Sequence, residues 1–450
     1  MYALRLWSEG YGICNWDFRP PGDGAMTAAQ IEALGPAFAD YLEPFLFCCG
    51  YTQTFDLLGL YCRGLLSDLK RKNGEPIARY AGVAVRTLQE FLRDHVWSFE
   101  QVRDVLQQQV ARQLLDLPDE DLGTLGIVDE TGVVKKGTCT PGVQRQHCGE
   151  VGKQENRIVT VHLGVARGRY KTLIDADLFL PESWDQDRDR CRAAGIPNEI
   201  VHRPKWQLAL GQVDRARSQG IGLDWLTFDE DYGKAPDFLT GLDGRHLHYV
   251  GEVPKSFHGS VARPRPGQRA SRADNLVRHS PAFTRQAWRP CRLHHQTAGD
   301  SEWQAKAAQI WVSGAAGRTY WLIWARNPTT REEKYFVSNA PARAALGRLL
   351  RVGFGRWNVE HCIRASKGEV GFRDFQGRHY VALMRHLTLC LVTLTFAAGQ
   401  AARLRGEKSG ADAGAGLRGI EPPVRVLAGC APGDDAFAVQ VGGHPVSPAA

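Results

Sequence analysis

The chain has 450 residues, of which 43% are hydrophobic and 23% charged, with a formal net charge of +7. That length supports a large core divided among two to four domains, and the composition is that of an ordinary soluble globular protein rather than a disordered or fibrous one. The basic balance favours a polyanionic partner, and the opening MYALRLWSEGYG lacks the charged-then-apolar pattern of a secretory leader. A cytoplasmic location with reduced thiols is therefore expected for the eleven cysteines, none of which forms a C-x-x-C pair.

In chain order, residues 1–26 read as a loose N-terminal arm containing Pro20, Pro21 and Gly22. Residues 27–118 have helical periodicity, in FDLLGLYCRGLLSDL and again in VRDVLQQQVARQLLDL. Between these, EPIARYAGVAVRTLQEFLRDH predicts a helix, a turn at Gly82 and a second helix. That second helix presents Arg86, Thr87, Gln89 and Arg93 outward, where phosphates or base edges would meet them. An ordinary helical hairpin with a solvated polar face has the same pattern, so DNA binding here is one of two readings.

From 122 the period shortens. GTLGIVDET predicts a buried strand ending in Asp129, followed by a loop rich in glycine and cations, among them Lys135, Lys136 and Arg145. NRIVTVHLGVARG and YKTLIDADLFLP predict two more strands, WQLALGQVDRARSQG an amphipathic helix, and GLDWLTFDED a fourth strand ending in Asp229. Asp175 and Asp177 fall on one polar, solvated face of the third strand. The order of strands and helices over 119–235 points to a mixed α/β sheet.

Residues 236–345 interrupt that core with strand-like pieces such as TYWLIWAR and KYFVS. From 262 to 294 this segment carries eight arginines, Arg265, Arg269 and Arg272 among them, against the single acid Asp274. Its prolines and glycines suggest a basic loop or ribbon. Charge runs are usually solvated, but the aromatic and histidine residues mixed in here suit contact with a nucleic-acid backbone. Residues 346–405 then supply a helix bearing Glu360 and a buried helix over 380–400. Arg385 and His386 make that second helix a core element rather than a membrane span. Residues 406–450 are rich in Gly, Pro and Ala and read as a mostly disordered tail.

In RWNVEHCIRASK, Arg356, Glu360 and Lys367 are four and seven residues apart, so all three project from one side of a helix. Asp129, Asp229 and Glu360 are three acids from distant elements whose convergence would make a divalent-metal site for phosphoryl chemistry.

These residues carry a resemblance to the DDE transposases of bacterial insertion sequences, which have an RNase H-like catalytic core. The spacing of Arg356, Glu360 and Lys367 matches the branch marked by a Tyr-Arg-Glu-Lys signature, with Gly353 standing where that signature has Tyr. FLPESWDQDRDRCRAAGIP, DEDYG and KGEVGFRDFQGRHY are similar to the subgroup named for insertion sequence seven-oh-one, and the likeness spans roughly residues 45–400.

The resemblance implies an α/β fold: an RNase H-like mixed sheet flanked by helices, interrupted by a β-rich insertion and preceded by an N-terminal helical domain. It implies Asp129, Asp229 and Glu360 as catalytic metal ligands, with Asp231 and Glu369 as alternatives to the second and third. Two Mg2+ ions per site are expected, with Mn2+ as a substitute. Arg356, Lys367, Lys135, Lys136 and Arg145 would contact phosphates, and Trp357 would stack on a displaced base. The implied activity is cutting of element ends and joining to target DNA through a hairpin intermediate. The expected partners are double-stranded DNA at terminal inverted repeats and targets, and a second copy of the chain on that DNA. No membrane is expected, and DNA-bound protein would sit on the nucleoid. A stand-alone nuclease with the same core, a catalytically silent DNA binder and a carboxylate-based glycoside hydrolase are the alternative readings.

Overall fold

The computed structural model describes residues 33–409 except 119, 149–151, 266–268, 296–298 and 313–316. The expected arm over 1–26, and the part of the expected tail from 410 onward, lie outside the described residues.

The N-terminal part is helical: α1 (Leu34–Leu42), α2 (Thr52–Leu66), α3 (Gly74–Tyr80), α4 (Val85–Arg93) and α5 (Phe99–Asp116). The local sequence sets the boundaries. The Asn73 side chain caps α3 by accepting from the Glu75 N–H, and Ser98 caps α5 by accepting from the Gln101 N–H. The α3–α4 pair is the hairpin expected around Gly82, with Leu88, Phe91 and Leu92 buried and Arg86, Gln89 and Arg93 exposed.

The first sheet contains β1 (Leu125–Val134), β2 (Gln144–Cys148), β3 (Lys153–Arg167) and β4 (Tyr170–Leu178). After it come α6 (Glu182–Asp185), α7 (Arg188–Ala193) and α8 (Lys205–Ser218), and then β5 (Trp225–Thr227), which returns to the same sheet. β1 runs antiparallel to β3 along its whole length and parallel to β5 over Leu125–Ile127. β2 and β4 pair with β3. The next elements are α9 (Glu230–Gly233), α10 (Pro236–Gly244) and β6 (Val250–Val253). A parallel bridge between Leu226 and Tyr249 lays β6 beside β5.

β6 is also the edge of a second, seven-stranded sheet. Its other members are β7 (His258–Ser260), β8 (Ser271–Arg272), β9 (Arg289–His295), β10 (Gly299–Val312), β11 (Thr319–Arg326) and β12 (Glu333–Ser338), with α11 (Ala273–His279) and α12 (Pro281–Thr284) between β8 and β9. The basic run over 262–294 is therefore partly regular rather than a plain loop. The chain then enters α13 (Leu346–Phe354), α14 (Trp357–Gly368) and α15 (Tyr380–Ser409).

The expected mixed α/β composition is present. α15 has the length and apolarity to cross a membrane over Tyr380–Arg403, but 83% of its most apolar window is buried inside the protein. It packs against α2, α4, α5, α14 and β4, as the core position inferred for it requires. It also runs to Ser409, past the expected start of the tail at 406.

Two expectations fail. β1 does not end at Asp129 but continues five residues to Val134, and part of the expected cationic loop after it is β2. Asp175 and Asp177 are not on a solvated face. Asp175 is fully buried, because α5 and α8 cover that side of β4. Its Oδ2 accepts from Arg215 Nε at 3.0 Å and Gln107 Nε2 at 3.1 Å, and Arg215 also bridges to Asp177. Burial raises the Asp175 carboxyl above its ordinary range, with Arg215 opposing the shift.

Candidate active site

β1 carries two consecutive acids, and a strand sends consecutive side chains to opposite faces. Asp129 meets Arg356 at the start of α14. Glu130 meets Lys205 at the start of α8. The two helices therefore lie on opposite faces of the sheet, and Asp129 sits on the face of α14. β5 stops pairing with β1 at Ile127, two residues before Asp129. The chain leaving β5 reaches Asp229, which caps α9 by accepting from the N–H groups of Asp231 and Tyr232.

Arg356 joins the acids. Its Nη1 donates to Asp129 Oδ2 at 3.1 Å and its Nη2 to Glu360 Oε1 at 2.7 Å. The Glu360 contact is the ordinary i, i+4 pair of a helix surface. The Asp129 contact spans 227 residues of sequence and is tertiary. Asp129 is nine-tenths buried, and burial raises its carboxyl to about 7. Arg356 opposes the rise, while Asp229 and Glu360 add to it. Asp229 is raised to about 6, first by burial, with Arg356 opposing and Asp231 adding. Burial works against the Arg356 charge, but Asp129, Glu360 and Asp229 outweigh it and hold the guanidinium above its ordinary value. Each of the three acids thus feels this one cation or acts on it.

The alternatives separate by position. Asp231 is exposed and pairs with Lys234, while Asp229 faces Arg356 electrostatically. Glu369 is the exposed C-cap of α14, nine residues after Glu360 and about 13 Å further along the helix axis. Lys367 lies on the same helix face as Glu360. Burial lowers the His162 imidazole to about 3, and the Lys367 charge adds to that; His162 stands opposite Asp129 in the β1–β3 ladder.

Trp357 is half-buried at the first position of α14, edge-on to Phe354. A Cβ added to Gly353 would come within 3.0 Å of the Phe336 ring, so a tyrosine there would displace the packing of β12. Phe354, the nearest aromatic, is itself buried against Trp303 and Phe336. No aromatic side chain thus takes the place of the signature tyrosine at this point.

The predicted phosphate contacts divide. Lys136 and Arg145 are exposed. Lys135 is not available to DNA, because its ammonium is buried and donates to the carbonyls of Arg373, at 3.1 Å, and Phe375, at 2.6 Å. Burial lowers it to about 8. With Lys72, which donates to the Glu369 carbonyl, it fastens the 369–375 loop that follows α14. Lys135→Met is therefore expected to cost about 1–3 kcal/mol of stability, whereas the exposed Lys136 changed to Ala should leave stability alone. Urea melts check both.

Arg86 is exposed on α4 and pairs with Glu90 at 2.6 Å. Arg265 and Arg269 are exposed, and Arg272 is exposed and paired with Asp274 at 2.8 Å.

No local pattern marks Glu130, Lys205 and Tyr232. Lys205 pairs with Glu130, and the Tyr232 hydroxyl donates to Glu130 Oε2 at 3.5 Å. A lysine at a helix start and a glutamate beside a proposed ligand are each unremarkable alone, and only tertiary pairing reveals the group.

Among the described residues, no three or more His, Cys, Asp or Glu side chains form a ready cage for a metal ion. The donor chemistry still fits a hard divalent cation. Three carboxylates, two of them raised by burial, share one positive charge.

The family described as DDE superfamily endonuclease matches residues 44–311, a span holding Asp129 and Asp229 and ending before Glu360. The chain is also 26% identical over 324 residues to a protein of Microchaete diplosiphon named as the probable transposase for insertion sequence element IS701, an alignment covering 70% of this chain and 75% of that one. With more than half of its length inside the family match, and with acids from β1, the β5 exit and α14 gathered around one arginine, the chain belongs to the DDE superfamily of endonucleases.

Proposed function

We propose that the chain is a DNA transposase of an insertion sequence, which binds element ends, cuts them and joins them to target DNA. The observation that carries this reading is the meeting of Asp129 and Glu360 on the Arg356 guanidinium, with Asp229 close enough to help hold that cation charged. In this reading the core is RNase H-like: β1, β3 and β4 are its antiparallel strands, β5 is parallel to β1, and β6 continues the order. The second sheet is then the insertion between Asp229 and Glu360.

Asp129, Asp229 and Glu360 would hold two Mg2+ ions, with Mn2+ as a substitute. When bound, such ions activate the attacking oxygen and stabilise the leaving one. Cleavage exchanges one P–O bond for another as water attacks the phosphorus and a 3′-hydroxyl leaves. Joining repeats the exchange with that hydroxyl as nucleophile. A hairpin intermediate is the same exchange made within one duplex end. Arg356 would bind phosphate in its forked geometry and Lys367 as a point charge, with Trp357 against a displaced base. Two ends are held together by two copies of the chain on DNA, in the cytoplasm.

Purified protein with a duplex bearing the element end and Mg2+ tests this. Strand joining is the expected outcome. Cleavage without joining would make the chain a nuclease, and binding without cleavage a silent binder. Changing Arg263, Arg265, Arg269 and Arg289 together to Ala is expected to weaken binding and lower its salt slope by about 3–4. An unchanged slope would remove the second sheet from the DNA interface.

A further inference from the structure

In this protein the acids already have a cation, and it is a side chain. Arg356 bridges two carboxylates that come from separate parts of the fold, one on a central strand and one on a late helix. Its stem leaves the start of α14, and its side chain is only 15% exposed. A guanidinium in this position does two things to an incoming ion. It occupies the oxygen lone pairs that the ion would need, and it repels the ion at short range. A helix pair alone would involve only Glu360, so the contact to Asp129 is what makes Arg356 a plug for the site rather than surface decoration.

We propose that Arg356 is an internal counter-ion of the metal-free protein, which must release Asp129 and Glu360 before a divalent cation can be held there. This rests on the reading of the three acids as a metal site and adds an exclusion to it. Protein without DNA binds metal weakly, because a cation entering must first displace an arginine. The displaced guanidinium remains on α14 beside the ion, where a phosphate would be its next partner. Metal loading and phosphate contact thus support one another, and by linkage the support is equal in both directions.

The test is Mn2+ binding to the full chain without DNA, followed by calorimetry or by the electron spin resonance of the free ion. It compares wild type, R356Q, R356K and D129N. R356Q removes the plug and is expected to bind Mn2+ on the order of tenfold more tightly than wild type. R356K keeps the charge but has one ammonium in place of the fork, so its affinity should lie between the two. It also carries the test if R356Q fails to fold, with a gain of about threefold as the expected result. D129N should lose the binding.

Equal or weaker binding in R356Q, or in R356K if only that variant folds, with loss in D129N, would overturn the plug while leaving the acids as the metal site. Binding that D129N leaves unchanged would place the ion elsewhere and overturn both. No binding by any variant up to millimolar Mn2+ would also overturn both.

Discussion

On the proposed function, Asp129→Asn is expected to lower DNA strand cleavage by about a thousandfold or more, since losing a ligand of the proposed metal site would remove several kcal/mol of transition-state charge stabilisation. DNA binding, which on that proposal rests on surface cations, should be retained. The same substitution has a second, opposite effect on the metal-free fold. Burial holds the Asp129 carboxyl at about 7, with Arg356 only partly offsetting the shift. An unfolded chain loses that proton near the ordinary aspartate value of about 4. Between these values the folded protein binds more protons than the unfolded one, so metal-free stability falls as pH rises through this window.

At pH 8 both states are ionised, and the whole cost of the buried charge is felt. Asparagine removes it. In chelator at pH 8, Asp129→Asn should therefore be more stable than wild type by about 1–3 kcal/mol, and the difference should shrink toward pH 4. Cleavage assays and thermal melts at several pH values check the pair of outcomes. A variant that is both inactive and less stable at pH 8 would mean that the ion pair with Arg356 outweighs the burial of the charge.

The sequence made the elements of this site legible because each acid follows or sits within a short apolar run. Asp129 follows LGIV, Asp229 follows WLTF, and Glu360 lies on a helix with Arg356 one turn before it. What it did not disclose depends on contacts between distant segments. Gly132 falls in the expected glycine-rich loop after Asp129, yet it is inside β1, and a Cβ there would come within 2.4 Å of the Arg157 guanidinium. Glycine here makes room for a side chain rather than bending the chain.

Lys135 reads as a loop cation for the same reason. With β1 extended, it falls just past the strand end and turns inward to carbonyls of residues 238 and 240 positions away. Asp175 and Asp177 show the same limit. Strand alternation places them together, but only packing tells that α5 and α8 cover that face. Local pattern gives periodicity and side, whereas burial of a polar group depends on which partner the rest of the chain supplies.

Arg385 gives the second large effect. It lies on the apolar helix α15, 5% exposed, and its guanidinium donates to the carbonyls of Phe91, Leu92, His95 and Trp97. Those carbonyls close α4 and the turn after it, where a helix end leaves acceptors without partners. The same guanidinium lies 4.5 Å from the centre of the Trp97 ring. One side chain thus fastens the end of the α3–α4 hairpin to the central helix, and through it to β4 and α14.

Arg385→Met keeps the length and removes every donor; the Phe91 carbonyl keeps Trp97 Nε1 and the His95 carbonyl keeps the Trp97 N–H, while the Leu92 and Trp97 carbonyls lose the guanidinium at about 1–3 kcal/mol each, partly recovered by water. A loss of about 3–5 kcal/mol in urea unfolding is expected. Arg385→Lys should recover less than half of it, because one ammonium cannot reach carbonyls on both sides of the turn. A loss below about 1 kcal/mol for Met would show that water replaces the guanidinium at the α4 end. The hairpin would then be held to α15 by its apolar contacts alone.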